Sequence, residues 1–296
     1  MELNKILDYA IMADETKKNP DIKSGYTING KTYNNYLSND SFAKFVEDME
    51  SNNPTAYEMY GKGGGKELEE RKSRANIYPP KMASFGSSSR MIYNLMKDVD
   101  GFLFEKKLPT TVGGIANLDG FMETEDKFVF VEAKCREPYT KKDGIYERKY
   151  EDLYSVITES DKTTLSCKTE IIDEQKMKVS FLSGNAVIHS FDIKQMISHL
   201  LGVATAFLDG EFDIKKIDFI YLLFNPKLIE IKDGREDIIS IYEQTCSECN
   251  SIDFKALFDV IVDYLQTVKG LGKDKNRAEI VNYFSFRLCD QSNMNI

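Results

Sequence analysis

The sequence predicts an α/β fold in which helices pack against one mixed β-sheet. The prediction depends on two hydrophobic periodicities, one helical and one strand-like, and on the order in which they follow each other. That order is a helix at 88–99, strands at 101–107, 115–123 and 127–135, a helix at 191–208 and a strand at 216–224. A three-stranded meander beside helices, followed by one further strand, is typical of a mixed α/β core.

The first 80 residues are predicted to be a helical extension of this core. The predicted elements are a helix over 1–12, a loop over 19–40, a helix over 41–50 with Ser41 as its cap, and a charged helix over 67–74. Pro79 and Pro80 end this run, because proline cannot continue a helix. The glycine-rich stretch 61–66 separates the last two helices as a flexible joint.

The core itself is predicted over residues 81–230. Apolar residues at helical spacing predict the helix at 88–99, which the serines at 87–89 can cap. The run Phe128-Val-Phe-Val131 is apolar on both faces, so this strand should lie in the centre of its sheet. The helix at 191–208 has a continuous apolar stripe and ends at Asp209-Gly210.

Two further regions complete the predicted organisation. An insertion at 136–190 lies between the third strand and the second core helix, with a helix at 145–158 and a hairpin at 161–190. Residues 231–296 are predicted to be a mostly helical region packed on the core, with helices at 236–249 and 252–268. The segment 277–289 is apolar and fits either a helix or a strand.

Composition limits the class of protein. No run approaches 18 apolar residues, and the first residues do not resemble a secretory signal, so neither a membrane span nor export is expected. Five cysteines scattered through a chain of 296 residues favour reduced thiols and a cytoplasmic setting. The net charge is −9, yet 61–90 and 134–149 are locally basic, as expected of a polyanion binder or of two solvated loops.

The strongest functional signal is a set of charged side chains at the ends of two predicted strands. Asp119 ends one strand, while Glu132 and Lys134 share one face of the next. Charges at the end of an apolar central strand are costly unless they are paired or bind a metal. Two carboxylates suffice for Mg²⁺, which keeps several waters, and the lysine can orient or deprotonate water or offset transition-state charge. A metal-dependent phosphodiesterase is therefore the leading hypothesis.

This motif resembles the active site of the PD-(D/E)XK nuclease superfamily, and the predicted order of elements is similar to its restriction-endonuclease-like core. The resemblance covers about residues 88–224 and implies an active enzyme. It implies Asp119, Glu132 and the Ala133 carbonyl as ligands of Mg²⁺, with Mn²⁺ as a possible substitute. Lys134 would be the catalytic lysine. The chain departs from the nominal motif at Leu118, where the family has proline.

Two additional site residues are suggested by members of that superfamily. Some members have an upstream glutamate, for which Glu105 in the first strand and Glu70 on the charged helix are candidates, with Glu105 closer to the core. Other members have a glutamine on the helix after the motif strand. Here Gln195 lies about one turn into that helix and could hold Lys134 or a phosphate, or be an ordinary polar residue at a helix start.

The sequence thus predicts a Mg²⁺-dependent nuclease that cleaves DNA, with RNA not excluded and a homodimer possible. It would be a restriction-type or defence endonuclease; the alternatives are a repair nuclease or a silent nucleic-acid-binding protein of the same fold. A third possibility, nucleotide binding by 61–66, lacks the serine or threonine of a phosphate-binding loop. The pair Cys246 and Cys249 fits core packing better than zinc, and the insertion could contact DNA or form a dimer arm.

Overall fold

The computed structural model describes residues 2–62, 66–73, 76–140 and 144–294. The helices are α1 Leu3–Lys18, α2 Asn39–Asn52, α3 Pro54–Lys62, α4 Ser88–Met96, α5 Glu151–Glu159, α6 Ile193–Leu208, α7 Arg235–Asn250, α8 Phe254–Thr267 and α9 Arg277–Tyr283. The strands are β1 Ser24–Ile28, β2 Lys31–Leu37, β3 Arg71–Ser73, β4 Asn76–Tyr78, β5 Leu103–Thr110, β6 Gly114–Glu123, β7 Lys127–Lys134, β8 Ile145–Glu147, β9 Leu165–Ile171, β10 Lys176–Ser183, β11 Ala186–Val187, β12 Lys216–Leu223 and β13 Phe284–Cys289. Among these described helices, none has both the length and the apolar character needed to cross a bilayer.

A five-stranded mixed sheet forms the centre of the molecule, in the order β13-β12-β7-β6-β5. The strands β5, β6 and β7 form the predicted antiparallel meander, and β12 then adds to β7 in parallel. Strand β7 is the middle strand, and its residues from Phe128 to Lys134 are all buried. The predicted α/β class with a mixed sheet is therefore confirmed, as is the central position of β7.

Helices cover both faces of this sheet, and each face has its own apolar core. The α6-side core contains α5, α6 and α8 together with the even-numbered side chains Phe128 and Phe130 of β7. The α4-side core contains α1, α2 and α4 together with Val129 and Val131. Because successive side chains of a strand point to opposite faces, β7 contributes to both cores, which explains its continuous apolar sequence.

The N-terminal region differs most from the prediction. Residues 19–40, predicted as loop, contain the antiparallel hairpin β1–β2, and the predicted charged helix at 67–74 is a turn followed by the short strand β3. The side chain of Ser38, rather than that of Ser41, caps α2 by accepting a hydrogen bond from the backbone N–H of Ser41. The first 80 residues thus combine helices with two hairpins instead of being helical throughout.

Elsewhere the differences are local. The helix predicted at 145–158 begins only at Glu151, because 145–147 pairs with β10 as strand β8. Residues 277–289 form both of the predicted alternatives in turn, a short helix α9 and then β13, which joins the central sheet beside β12. The basic residues Arg74, Lys141 and Lys142 lie outside the described residues.

Candidate active site

A polar cavity of 280 Å³ opens at the end of the sheet where β6 and β7 separate. The pairing of these strands ends at Gly120 and Val131, one position before Asp119 and Glu132. The five predicted site side chains all line this cavity: Glu105, Asp119, Glu132, Lys134 and Gln195. The structure therefore brings together residues that are separated by up to 90 positions in the chain (195 − 105).

In both β5 and β6, the regular alternation of side chains between the two faces of the sheet is interrupted at the level of this cavity. Phe104 packs into the α4-side core, whereas Leu108, four residues later, packs into the α6-side core. In a regular strand these two residues would share a face. The change occurs at Glu105, which has a φ of 55°, a value that non-glycine residues rarely adopt. Backbone strain of this kind costs about 1–3 kcal/mol and is concentrated at functional sites.

Strand β6 shows the matching irregularity opposite Glu105. Leu118 and Phe121, three residues apart, both pack into the α6-side core, so the alternation is interrupted at Asp119 and Gly120. A Cβ atom at Gly120 would lie 2.2 Å from the Cζ atom of Phe102, which is buried against the strand. Glycine at position 120 thus lets the Phe102 ring cross β6 while the neighbouring carboxylate turns into the cavity.

Where the backbones of β6 and β7 separate, the side chain of Asp119 replaces the backbone of β6 as the hydrogen-bond partner of β7. Its Oδ2 atom accepts a hydrogen bond from the backbone N–H of Ala133 at 2.7 Å, so the carboxylate bridges the gap between the diverging strands. Burial raises the pKa of Asp119 well above its usual value, and the nearby Glu132 raises it further. A positive charge placed in the cavity would offset both effects, because it favours the ionised carboxylate.

Glu132 and Lys134 form a buried ion pair beside Asp119, with only 2% and 6% of their surfaces exposed. The Nζ atom of Lys134 donates to Glu132 Oε1 and, at 2.8 Å, to the Oε1 atom of Gln195. Gln195 is positioned by the first turn of α6, where the Asp192 carboxylate accepts its backbone N–H. Helix α6 therefore fixes the lysine ammonium group through the side chain of Gln195.

The pKa values of Glu132 and Lys134 are both raised, but for different reasons. Burial raises the pKa of Glu132 to about 7, although Lys134 opposes the shift. Burial alone would lower the pKa of Lys134, but the carboxylates of Glu132, Glu137 and Asp119 outweigh it and raise that pKa. Lys134 is therefore a protonated hydrogen-bond donor at neutral pH rather than a base.

His199 is a contact of Glu132 that the sequence did not reveal. Its Nδ1 atom lies 3.3 Å from Glu132 Oε2, and neither atom has a hydrogen-bond partner among the described residues, although the contact falls short of hydrogen-bond geometry. Burial and the charge of Lys134 lower the pKa of His199 to about 3, so its ring is neutral. A carboxylate oxygen only accepts hydrogen bonds, which favours the tautomer with hydrogen on Nδ1.

We expect His199 to remain neutral between pH 8 and pH 4 and to carry its hydrogen on Nδ1. The measurement is a long-range ¹H–¹⁵N spectrum of protein with ¹⁵N-labelled histidine, which is tractable because the chain has only two histidines. The exposed His189 supplies the second set of signals. A His199 ring protonated on Nε2, or one that becomes charged above pH 5, would contradict this account of how Glu132 is held.

Two glutamates extend the acidic side of the cavity. Burial and the neighbouring Glu67 raise the pKa of Glu105 to about 7, and its Oε2 atom is buried without a partner. Glu67 pairs with Lys81 at 2.6 Å through Oε1, while its Oε2 atom is also buried and unpaired. Glu67, which follows the glycine-rich stretch, has no sequence signal, because the local pattern predicts a helix there. Glu70, the other predicted upstream glutamate, does not line the cavity and contacts Tyr26 instead.

The wall opposite Glu67 is formed by the segment that follows β7 and by the start of α4. The carboxylate of Glu137 accepts hydrogen bonds from Ser88 Oγ at 2.8 Å and from the backbone N–H of Cys135 at 2.8 Å. Arg136 also lines the cavity and donates to the buried carboxylate of Asp8 at 2.9 Å. These contacts fix the strand end behind Lys134 to α4 and to α1.

The donor set can be tested against a divalent cation. Within the described part of the chain, no group of three or more His, Cys, Asp or Glu side chains is already arranged as a metal-binding cluster. Three buried carboxylate oxygens at the cavity nevertheless accept no hydrogen bond from any described residue: Glu67 Oε2, Glu105 Oε2 and Glu132 Oε2. Mg²⁺ needs only one or two carboxylates, with water and substrate oxygens as the remaining ligands. The oxygen-rich cavity fits such an ion.

The cysteine pair of α7 does not line this cavity. All five cysteines are free, and Cys246 and Cys249 lie on α7 against the α6-side core, as their spacing indicated. Residues 63–65 of the glycine-rich stretch lie outside the described residues. Comparison of the chain with family models, curated proteins and solved structures found no match. The function is therefore inferred from the side chains of the cavity themselves.

Proposed function

We propose that this chain is a Mg²⁺-dependent nuclease that hydrolyses phosphodiester bonds of DNA. The observation that carries the proposal is the convergence of Asp119, Glu132 and Lys134 at the point where two neighbouring strands separate. Buried charges of both signs destabilise a fold unless they are paired or functional. Their arrangement beside an open polar cavity supports a catalytic role.

The arrangement of the surrounding elements supports a restriction-endonuclease-like core. Helix α4, the meander β5–β6–β7, helix α6 and strand β12 follow one another in the order that the resemblance to PD-(D/E)XK nucleases implies. In that comparison the acid lies on the second strand of the meander and the Glu-x-Lys pair on the third. Asp119 on β6 and Glu132 with Lys134 on β7 occupy these positions.

Mg²⁺ would be held by Asp119, Glu132 and the carbonyl of Ala133. When bound, such an ion polarises a phosphoryl oxygen and lowers the pKa of a coordinated water. Asp119 is well placed for this role, because its Oδ2 atom is fixed by the backbone N–H of Ala133. Glu132 presents its unpaired Oε2 atom while Lys134 fixes Oε1.

Lys134 would act through its charge rather than as a proton acceptor. Its ammonium group is held by Glu132 and Gln195, which leaves one of its three protons for the substrate or the attacking water. A fixed cation in a buried cavity stabilises the negative charge that develops on the phosphoryl group. Gln195 is a positioning residue in this scheme, because it contacts Lys134.

We extend the proposal to the substrate, the biological role and the assembly of the chain. DNA is preferred to RNA as the substrate, a restriction-type or defence role is preferred to repair, and two copies would be needed to cut both strands at once. Reduced thiols suit a cytoplasmic setting. Each of these is a prediction that depends on the nuclease activity itself.

The test is cleavage of supercoiled plasmid and of a linear duplex by the full chain, with 10 mM Mg²⁺, with Mn²⁺ and with EDTA. We expect nicked or linear products only with a divalent cation. Calorimetric titration with Mn²⁺ in the absence of DNA tests the metal site separately. A chain that neither binds Mn²⁺ nor cleaves any DNA or RNA would favour the alternative of a silent nucleic-acid-binding protein, in line with the lack of a preformed ligand cluster among the described residues.

We expect activity at limiting Mg²⁺ to rise steeply between pH 6 and pH 8. Burial raises the pKa of Glu132 to about 7 and raises the pKa of Asp119 well above its usual value, so at low pH protons compete with the metal for these two carboxylates. Saturating Mg²⁺ should therefore shift the rising limb to lower pH. Initial rates at 0.5 and 20 mM Mg²⁺ measure this shift, and identical profiles at the two concentrations would contradict it.

A further inference from the structure

A lysine-lined groove lies next to the candidate active site, on the other side of the start of α6. It consists of two adjacent cavities of 330 and 210 Å³, which share Tyr146 and Lys194. We define the lysine groove by its four cationic side chains, Lys149, Lys176, Lys178 and Lys194. Among the described residues, two acidic side chains, Glu147 and Asp192, line the same cavities, so this part of the groove has a local charge of +2 (4 − 2) in a chain whose net charge is −9.

Two of these lysines are brought together by one aromatic ring. The Nζ atoms of Lys149 and Lys194 lie 5.6 and 5.2 Å from the centre of the Tyr150 ring. The ring itself is buried and is fixed by a hydrogen bond of 3.0 Å between its hydroxyl group and Ser198 Oγ. Glu147 already offsets the charge of Lys149, with 2.5 Å between Lys149 Nζ and Glu147 Oε2. The groove as a whole still carries a net positive charge, which favours a negatively charged ligand.

The distribution of the lysines indicates which kind of anion fits. Lys176 and Lys178 are exposed on one face of β10, while Lys149 and Lys194 come from the segments before α5 and at the start of α6. A compact phosphate would need donors that converge on one point, whereas these charges are spread along an open groove. A linear polyanion such as a nucleic-acid backbone matches that arrangement.

The position of the groove connects it to the cavity that contains Asp119. Lys194 lines the groove and its neighbour Gln195 contacts Lys134, with Cα atoms about 3.8 Å apart. One turn later, Ser198 lines the groove while His199 contacts Glu132. The first two turns of α6 therefore lie between the two sites, and the groove is separated from the cavity by one helix diameter, roughly 10–12 Å.

We infer that the lysine groove binds the phosphodiester backbone of DNA beyond the bond that is cut. The inference rests on the proposed function, because it extends the substrate from the active-site cavity along the insertion. It gives the strands β8–β10 a role in substrate binding, rather than as a dimer arm. The lysines contact phosphates and contribute affinity without reading the sequence of bases.

The experiment measures the affinity of the full chain for a 24-base-pair DNA duplex in EDTA, by fluorescence anisotropy between 50 and 300 mM KCl. Without metal no cleavage occurs, so binding is observed alone. The test variant replaces all four lysines of the groove by glutamine. The control variant replaces four exposed lysines of other regions, Lys44, Lys97, Lys255 and Lys273, which removes the same total charge.

We expect the slope of log K against log salt to flatten by about 3 in the groove variant, since each phosphate contact contributes roughly 0.9. The control variant should lose less than one unit, and both should melt within a few degrees of the unaltered chain. Equal slopes for the groove and control variants would overturn the inference. A flatter slope of the groove variant with an RNA duplex, but not with the DNA duplex, would also overturn it.

The outcomes separate the groove from the nuclease activity. Binding that depends on the four lysines, without cleavage in Mg²⁺ or Mn²⁺, would support the groove and contradict the proposed enzyme. Cleavage by a chain whose salt dependence is unchanged in the groove variant would support the enzyme and overturn the groove. If the chain neither binds nor cleaves DNA, both are wrong.

Discussion

We expect the replacement of Lys134, Glu132 or Asp119 by alanine to abolish metal-dependent cleavage of DNA, with a loss of at least about 10²-fold in rate for Lys134→Ala. The reason is that each side chain has a separate role at one cavity. Asp119 and Glu132 would hold the metal, and Lys134 would supply the fixed positive charge. Removing one preorganised electrostatic group from an active site typically reduces the rate by about 10²–10³, and losing a metal ligand removes the metal's contribution as well.

Matched control variants exist on the same two strands. Lys127 begins β7 and Glu123 ends β6, both at the opposite end of these strands from the cavity. Lys127→Ala and Glu123→Ala should cleave plasmid at close to the rate of the unaltered chain. Circular dichroism and thermal melting show whether each variant is folded. Full activity in folded Lys134→Ala protein would falsify the proposed mechanism.

The parts of this site that could be predicted from the sequence are those that depend on strand alternation. A continuous apolar run ending in Glu-x-Lys places Glu132 and Lys134 on one face of a central strand, and the structure has them there. The helical stripe likewise places Gln195 about one turn into α6, and in the structure Asp192 caps that turn. Local patterns were sufficient, because period and capping depend on neighbouring residues only.

The contributions of Glu67, Glu137 and His199 could not be predicted, because they depend on contacts between distant segments. Glu67 approaches the cavity only because its segment turns back instead of forming a helix. His199 lies on the apolar stripe of α6, where a buried histidine is usual, and its contact with Glu132 requires α6 to cross the end of β7. Likewise, no local pattern predicts the left-handed φ of Glu105, which depends on two strands changing faces together.

The buried pair Glu132–Lys134 should also dominate the stability of the metal-free chain. Replacing Glu132 by glutamine leaves the lysine ammonium buried without its closest carboxylate, and such losses destabilise proteins by about 3–5 kcal/mol. Replacing Lys134 by methionine leaves Glu132, whose pKa burial already raises to about 7. That carboxyl group takes up a proton below pH 7, so the lysine variant should be less destabilised at pH 6 than at pH 8.

The double variant, Glu132→Gln with Lys134→Met, separates the cost of burying the two charges from the attraction between them. Because it buries neither charge, its free energy of unfolding should equal or exceed that of the unaltered chain, by up to about 4 kcal/mol. Urea unfolding of the four proteins at pH 8 gives the coupling energy between the two side chains. The surface pair Lys106–Glu211, in which the lysine is half-buried and 3.1 Å separates Nζ from Oε1, is the control and should couple by less than about 1 kcal/mol.

Additive effects of the two substitutions at positions 132 and 134 would show that the two side chains are not coupled and that their burial does not lower the stability of the fold. A stable, inactive double variant would show the opposite, namely that the charges reduce the stability of the fold. Charges that lower stability persist where they serve a function, since otherwise apolar side chains would fill the same volume more favourably. The stability of this variant thus tests the proposed active site without requiring knowledge of its substrate.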